Sequence, residues 1–415
     1  PEGRGESRIT LADAVRFALE SSEDVRIAAE KRRAATGSRI AAFSEYLPHV
    51  AGGVSYSRKS RATLGSSSNP AFNSDQLYAA RLGARQEIYS GWATTNRFRR
   101  AGAAAEAAEA DEARVRAEAA YRATRAYFEA LFRVRLTEIA AAALKNAESH
   151  EAVARSRYRA GEASEFDVSR ARVQTVNQKT ARLRARQDET LARERLARLI
   201  GRRVDGETLD AVEFKAPAAA GVPDSLDEAL ARARAARPEL RGAAADVRAR
   251  EYEVGIARAL FRPSLAVTGE YLWQNSRASL SDLDERWNAG ISLDLPIFDG
   301  LMAVGRVKEA TSQSRAADAA RDKVTEEVVL DVREAYAVWL DARERLDAQR
   351  ENVDLARDNL TVAEKRYRTG ENSYLDLQDA QLALTQAEVN HAQAVFDGLS
   401  AKSALTRATG TALVN

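Results

Sequence analysis

The 415-residue chain carries 63 basic and 61 acidic side chains, a net charge of +2, so its charge does not call for a nucleic-acid partner. It has no cysteine, which excludes disulfides, thiolate metal sites and an acylated N-terminal cysteine within this sequence. No apolar run reaches the roughly 18 residues of a membrane-crossing helix, and 30% charged residues over long helical patterns indicate solvated helix rather than disorder. Residues 1–10 hold nothing like a signal sequence, and a chain starting at Pro1 is expected to be a trimmed product.

In chain order, a helix is expected over 11–20, then a second that ends before Leu47-Pro48. The apolar spacing then switches to period two, giving strands near 48–58 and 77–90 with a polar, turn-rich join. A helical pattern follows over 101–159, about 88 Å at 1.5 Å per residue, and another returns over 164–200. Residues 202–223 show no period, contain Pro217 and Pro223, and read as a linker. The order then repeats: helices over 226–236 and from Pro238, strands near 263–274 and 286–298, and long helices over 303–368 and 373–409.

The repetition is specific in sequence. Leu11 and Pro48 recur as Leu226 and Pro263, an offset of 215, and Ile88-Tyr89-Ser90-Gly91 recurs as Ile297-Phe298-Asp299-Gly300, an offset of 209. The chain is therefore read as a tandem duplication: repeat 1 over 1–201, the linker 202–223, and repeat 2 over 224–415. Arg157-Tyr158-Arg159-Ala160-Gly161-Glu162-Ala163-Ser164 recurs as Arg366-Tyr367-Arg368-Thr369-Gly370-Glu371-Asn372-Ser373. Each copy is a helix reversal, at 160–164 and at 369–373. Gly161 and Gly370 suit the left-handed residue that ends a helix, and Ser164 and Ser373 sit three residues before Asp167 and Asp376, the capping-box spacing. In the last helix Ala380, Ala387, Ala394, Ala401 and Ala408 recur every seven residues, a small-residue seam for close helix contact, although alanine also simply favours helix.

Four strands cannot close a membrane barrel, and an open four-stranded sheet leaves two unpaired edges. The alternation, with Tyr271, Trp273 and Trp287, suits lipid-facing strands with interfacial aromatics; a soluble sandwich strand alternates in the same way, but no second sheet is available to pack on these. Several chains must pool their strands. His49, His150 and His391 lie in separate elements without ligand spacing, and there is no nucleophile motif or phosphate loop, so neither an enzyme nor a cofactor is expected.

The duplicated helix, strand-hairpin and long-hairpin layout, with Arg-Tyr-x-x-Gly-Glu-x-Ser-x-x-Asp in both copies, resembles the TolC-family outer-membrane efflux proteins from Ile9 to Gly410. The resemblance implies a mainly α chain with a membrane β-barrel portion. Its tandem long helical hairpins would form a coiled-coil tunnel, and its four strands per chain would close as a 12-stranded barrel in a homotrimer. It implies the outer membrane of a Gram-negative bacterium, with extension into the periplasm and contact with outer-membrane lipid. The partners implied are a periplasmic adaptor and an inner-membrane transporter of RND, ABC or MFS type, with no nucleic acid. Passive exit of small molecules is the first reading, and a duct for type I protein secretion the second. A periplasmic adaptor would carry one hairpin rather than two; a soluble coiled-coil scaffold would be a monomer without detergent.

By resemblance, Asp376 and Asp379 match the aspartate rings that constrict the tunnel. Asp376 also has a capping duty shared with Asp167, whereas Asp379 has none and its counterpart at the same offset in the other copy is Arg170. Three such carboxylates near one axis would favour cations, although a solvated helix carboxylate looks the same in sequence. Asp167 and Tyr367 match gate-locking positions, and Asn372 stands where the family has the third partner, an arginine. Gly161, Glu162, Ser164, Gly370, Glu371 and Ser373 match the turn surface that docks on adaptor hairpins, while also being good turn formers.

Overall fold

A computed structural model describes residues 8–58, 76–204, 209–210, 214–275, 284–369, 371 and 373–411. Thr10 caps helix α1 (Leu11–Ser21): its side chain accepts from the Asp13 amide while Asp13 reaches back, two orphan donors satisfied at once. Helix α2 (Glu23–Ser44) follows, then strands β1 (His49–Arg58) and β2 (Gln76–Tyr89). The long helix α3 spans Ala93–Arg159 and α4 spans Glu165–Ile200. Ser225 caps α5 (Leu226–Ala236), and α6 (Pro238–Ala259) opens on a proline, where no intrahelical N–H is needed. Strands β3 (Ser264–Asn275) and β4 (Asp284–Asp294) precede α7 (Met302–Thr369) and α8 (Tyr374–Ala408).

Two boundaries differ from the sequence expectation by more than two residues. Helix α3 begins at Ala93, eight residues ahead of the alanine-rich stretch, because Ser90 caps it: the Thr94 amide donates to Ser90 Oγ at 3.0 Å. Strand β4 stops at Asp294 although the alternation continues to Ile297, since Pro296 has no N–H to give a ladder.

The chain forms two compact units, each drawn from both sequence halves. One comprises residues 1–28, 111–239 and 325–415. Its core joins α1, α3, α4 and α8 through Val15, Tyr127, Leu131, Leu196, Ile200 and Val395. Each fully buried Leu or Ile there contributes about 1.5–3 kcal/mol. The Tyr127 hydroxyl donates to the Ile9 carbonyl at 3.0 Å, and Tyr336, 209 residues on, donates to the Asp224 carbonyl at 3.3 Å. The segment read as a linker packs closely: Phe214 lies against Phe132, and Lys402 donates to the Ala218 carbonyl. In α8 the small-residue seam is buried at Ala387, Ala394, Ala401 and Ala408.

Arg237, only 6% exposed, joins this unit by charge. Its guanidinium donates to Asp331 at 2.8 Å and to the Arg407 carbonyl at 3.2 Å, with Glu239 3.3 Å away. Arg407 also bonds Asp331, at 3.2 Å, and pairs with Glu118. One aspartate of α7 thus holds two arginines.

The other unit, residues 29–110 and 240–324, holds one antiparallel sheet of order β1-β2-β3-β4. The register adds the alternating faces together. Gly52, Leu82, Tyr271 and Trp287 stand side by side across the four strands, as do Val50, Ala84, Gly269 and Ala289. The opposite face carries Arg81, Arg85, Thr268, Glu270, Asn288 and Ser292. The apolar face is open, with Trp287 74% and Ile291 75% exposed, and the outer edges of β1 and β4 are unpaired among the described residues.

Candidate functional site

The repeated phrase forms two helix reversals built from the same bonds. After α3, the Glu162 amide donates to the Arg157 carbonyl at 2.9 Å and the Gly161 amide to the Tyr158 carbonyl at 3.0 Å, which satisfies carbonyls the helix leaves free. Gly161 takes φ +79°, a left-handed value that costs a residue with a Cβ about 1–2 kcal/mol. After α7 the Glu371 amide donates to the Arg366 carbonyl, again at 2.9 Å; Gly370 and Asn372 lie outside the described residues.

Each returning helix starts on a capping box. Asp167 accepts from the Ser164 amide at 3.0 Å and hydroxyl at 2.7 Å, and its own amide donates to Ser164 Oγ at 3.2 Å. Those bonds from Ser164, with the Arg170 charge adding, hold the Asp167 carboxyl below the usual carboxylate range. Asp376 accepts from the Ser373 amide and hydroxyl, both at 2.9 Å. Asp379, one turn further along α8, is exposed and has no hydrogen bond or ion pair among the described residues. At the matching place in α4, the Arg170 guanidinium lies 5.6 Å above the Phe166 ring. Glu162, Ser164, Glu371 and Ser373 are all exposed at the tips.

The two hairpins meet at the turns. The Arg157 guanidinium sits 4.6 Å over the Tyr367 ring and donates to the Tyr367 carbonyl at 3.4 Å. The Tyr367 and Tyr374 rings are 6.1 Å apart, and burial, with Tyr367 and Glu151 adding, raises the Tyr374 hydroxyl pKa. Two turns back, the His150 imidazole meets the Gln381 amide, and burial lowers the His150 pKa against the pull of Glu364. Tyr367 and Asp167, expected together, share no hydrogen bond within the chain. Asp167 is committed to its cap, and Arg157 covers the tyrosine ring.

Arg157 opens the repeated phrase, so its recurrence as Arg366 was a visible signal, though its partner was not. Nothing in the sequence pointed to the His150–Gln381 pairing. Among the described residues no group of His, Asp and Glu could hold a metal ion, and no helix is long and apolar enough to cross a membrane.

The sequence model of the family described as outer membrane efflux protein matches twice, over residues 14–202 and 229–411. No curated protein sequence matches the chain at a significant level. Among solved structures, the channel-forming protein CusC superposes with a TM-score of 0.83 at 18% identity, over 97% of this chain and 92% of its own. The outer membrane protein VceC of Vibrio cholerae gives 0.82 at 18% identity, over 97% and 96%. The open-state outer membrane channel MtrE of Neisseria gonorrhoeae gives 0.81 at 21%, over 98% and 90%. The four strands form an open sheet whose outer edges, on β1 and β4, are unpaired among the described residues, so the wall does not close within one chain. With both halves matched by the same family model, this chain belongs to the outer membrane efflux protein family.

Proposed function

We propose that this chain is one third of a passive outer-membrane duct for small molecules, gated at the paired turns and docked there by a periplasmic adaptor that delivers cargo from an inner-membrane transporter. Asp379 is the primary gate residue. The supporting observation is its exposed carboxylate one turn into α8, which no hydrogen bond or ion pair among the described residues neutralises. Asp376 contributes to the same constriction while also holding the α8 cap. Three unneutralised carboxylates around one axis attract cations and multivalent blockers. Asp167 and Tyr367 act as locking positions between chains, since the Tyr367 hydroxyl has no partner among the described residues of its own chain. Gly161, Glu162, Ser164, Glu371 and Ser373 form the docking tip, with Gly370 beside them in sequence.

The halves 1–201 and 224–415 act as pseudo-equivalent units, so a trimer presents six hairpins to its adaptors. The support is the recurrence of bonds at fixed offset, such as Tyr127 with Tyr336.

The test is Asp379→Asn in planar bilayers. The substitution leaves the capping box intact, so a change cannot be assigned to unfolding. Cation selectivity and block by multivalent cations are expected to fall; unchanged selectivity and block would remove Asp379 from the gate.

A further inference from the structure

Each strand-to-long-helix junction contains a costly backbone feature, present twice. Gly91 and Trp92 take φ +63° and +75°, and Gly300 and Leu301 take +67° and +71°. Both turns are closed by the same bonds: Ala93 N to Ser90 O at 3.0 Å and Met302 N to Asp299 O at 3.4 Å, then Asn96 N to Trp92 O and Gly305 N to Leu301 O, each at 3.0 Å. Glycine or asparagine would adopt the second left-handed position freely; a bulky side chain there costs on the order of 1–3 kcal/mol. Folding does not recover that cost, because Trp92 is 56% and Leu301 67% exposed.

An exposed apolar side chain held in strain at both junctions implies a contact outside the chain. The Trp92 ring meets Tyr89 edge-on at 6.2 Å, and Tyr89 stands opposite Leu265, which is paired with Leu293 on the open apolar face of the sheet. The feature is therefore continuous with the lipid-facing wall, at the end of the strands where the helices begin. Seven residues on, about 10 Å along a helix, come Arg99 and Lys308, a cation at the same place in both halves. Both are exposed and have no ion-pair partner among the described residues.

We propose that Trp92 with Arg99, and Leu301 with Lys308, form two phospholipid-binding sites per chain at the lower membrane boundary. The apolar residue sits at the acyl–headgroup level and the cation takes the phosphate of an anionic glycerophospholipid. The left-handed turn serves to aim the apolar side chain outward from a helix start. The proposal rests on the membrane reading of the sheet, and its test separates the two.

Because the chain has no cysteine, single nitroxide labels can be placed at Trp92→Cys, Leu301→Cys and, as a mid-sheet reference, Ile291→Cys, in the assembled protein in phosphatidylglycerol–phosphatidylethanolamine vesicles. The Ile291 label should be accessible to oxygen and shielded from a water-soluble nickel chelate; if it is not, the membrane reading itself fails. With that reference in lipid, labels at 92 and 301 should report the headgroup boundary. Nickel access equal to that of a fully hydrated helix site, or protection from both reagents as in a protein–protein contact, would overturn the proposal. As a second measurement that leaves the strained turns intact, Arg99→Gln with Lys308→Gln should reduce phosphatidylglycerol retained in native mass spectra at least threefold. Retention equal to the parent would also overturn it.

Discussion

At Asp376 and Asp379 two carboxylates of one helix turn have different physical states. Asp376 is engaged by the Ser373 amide and hydroxyl, so replacing it removes a cap worth about 1 kcal/mol as well as a charge. Asp379 has no such bond, which makes it the cleaner probe. Tyr367 divides in a similar way. Its ring and carbonyl are held by Arg157, and the hydroxyl has no partner among the described residues. Tyr367→Phe keeps the stacking and deletes only the hydroxyl, so the proposed lock predicts more frequent opening in bilayers at unchanged melting temperature; equal opening frequency in mutant and parent would count against it. The histidines give a pH dependence with a definite sign. Burial lowers the pKa of His150, and burial together with Arg135 and Arg350 lowers that of His391, both from 6.5. Below 6.5 the unfolded chain takes up protons that the folded chain refuses, so stability falls with pH from there down to the depressed folded values. His150→Gln with His391→Gln should flatten the melting temperature between pH 7 and 5.5. A slope as steep as the parent's would assign the acid sensitivity elsewhere.

Among the elements, the long helices are joined by different chemistry at different points. Apolar packing dominates where Tyr127, Leu196 and Val395 meet, whereas α7 and α8 are tied to the start of α6 by charge, through Arg237, Asp331 and Arg407. Removing one member of such a buried group leaves its partners without a counter-charge, at a cost of about 3–5 kcal/mol. Asp331 is itself 31% exposed, so Asp331→Asn is expected at the low end, ~3 kcal/mol, read as a loss of denaturation midpoint. A cost below about 1 kcal/mol would mean that water already screens this group.

At the scale of the whole molecule, the sheet is an unfinished wall. Its four strands place one apolar face in a continuous row and, among the described residues, leave β1 and β4 unpaired at their outer edges. On a lipid-facing barrel, Ile291→Arg should cost ~2–4 kcal/mol near mid-membrane and reduce the share of particles at three times the 45.3 kDa chain mass in detergent. A solvent-facing sheet would tolerate the change, and a full yield of trimer would contradict the lipid-facing assignment.

The sequence by itself determined every element that depends on local spacing. Period two marked the strands, the Ser-x-x-Asp boxes marked the starts of α4 and α8, and Gly161 marked the end of α3, because each works through bonds only a few residues apart. It misplaced the start of α3 and the end of β4, where a cap at Ser90 and the proline at 296 overrode the apolar pattern. Only the tertiary structure decided what requires distant residues to meet. It set β2 against β3, joining the two halves in one sheet, placed Arg157 on Tyr367, buried Arg237 against Asp331, and packed Phe214 onto Phe132. The physical reason is that periodicity records which face of an element is apolar, whereas the choice among apolar or charged faces of similar character depends on the shape of the assembled core.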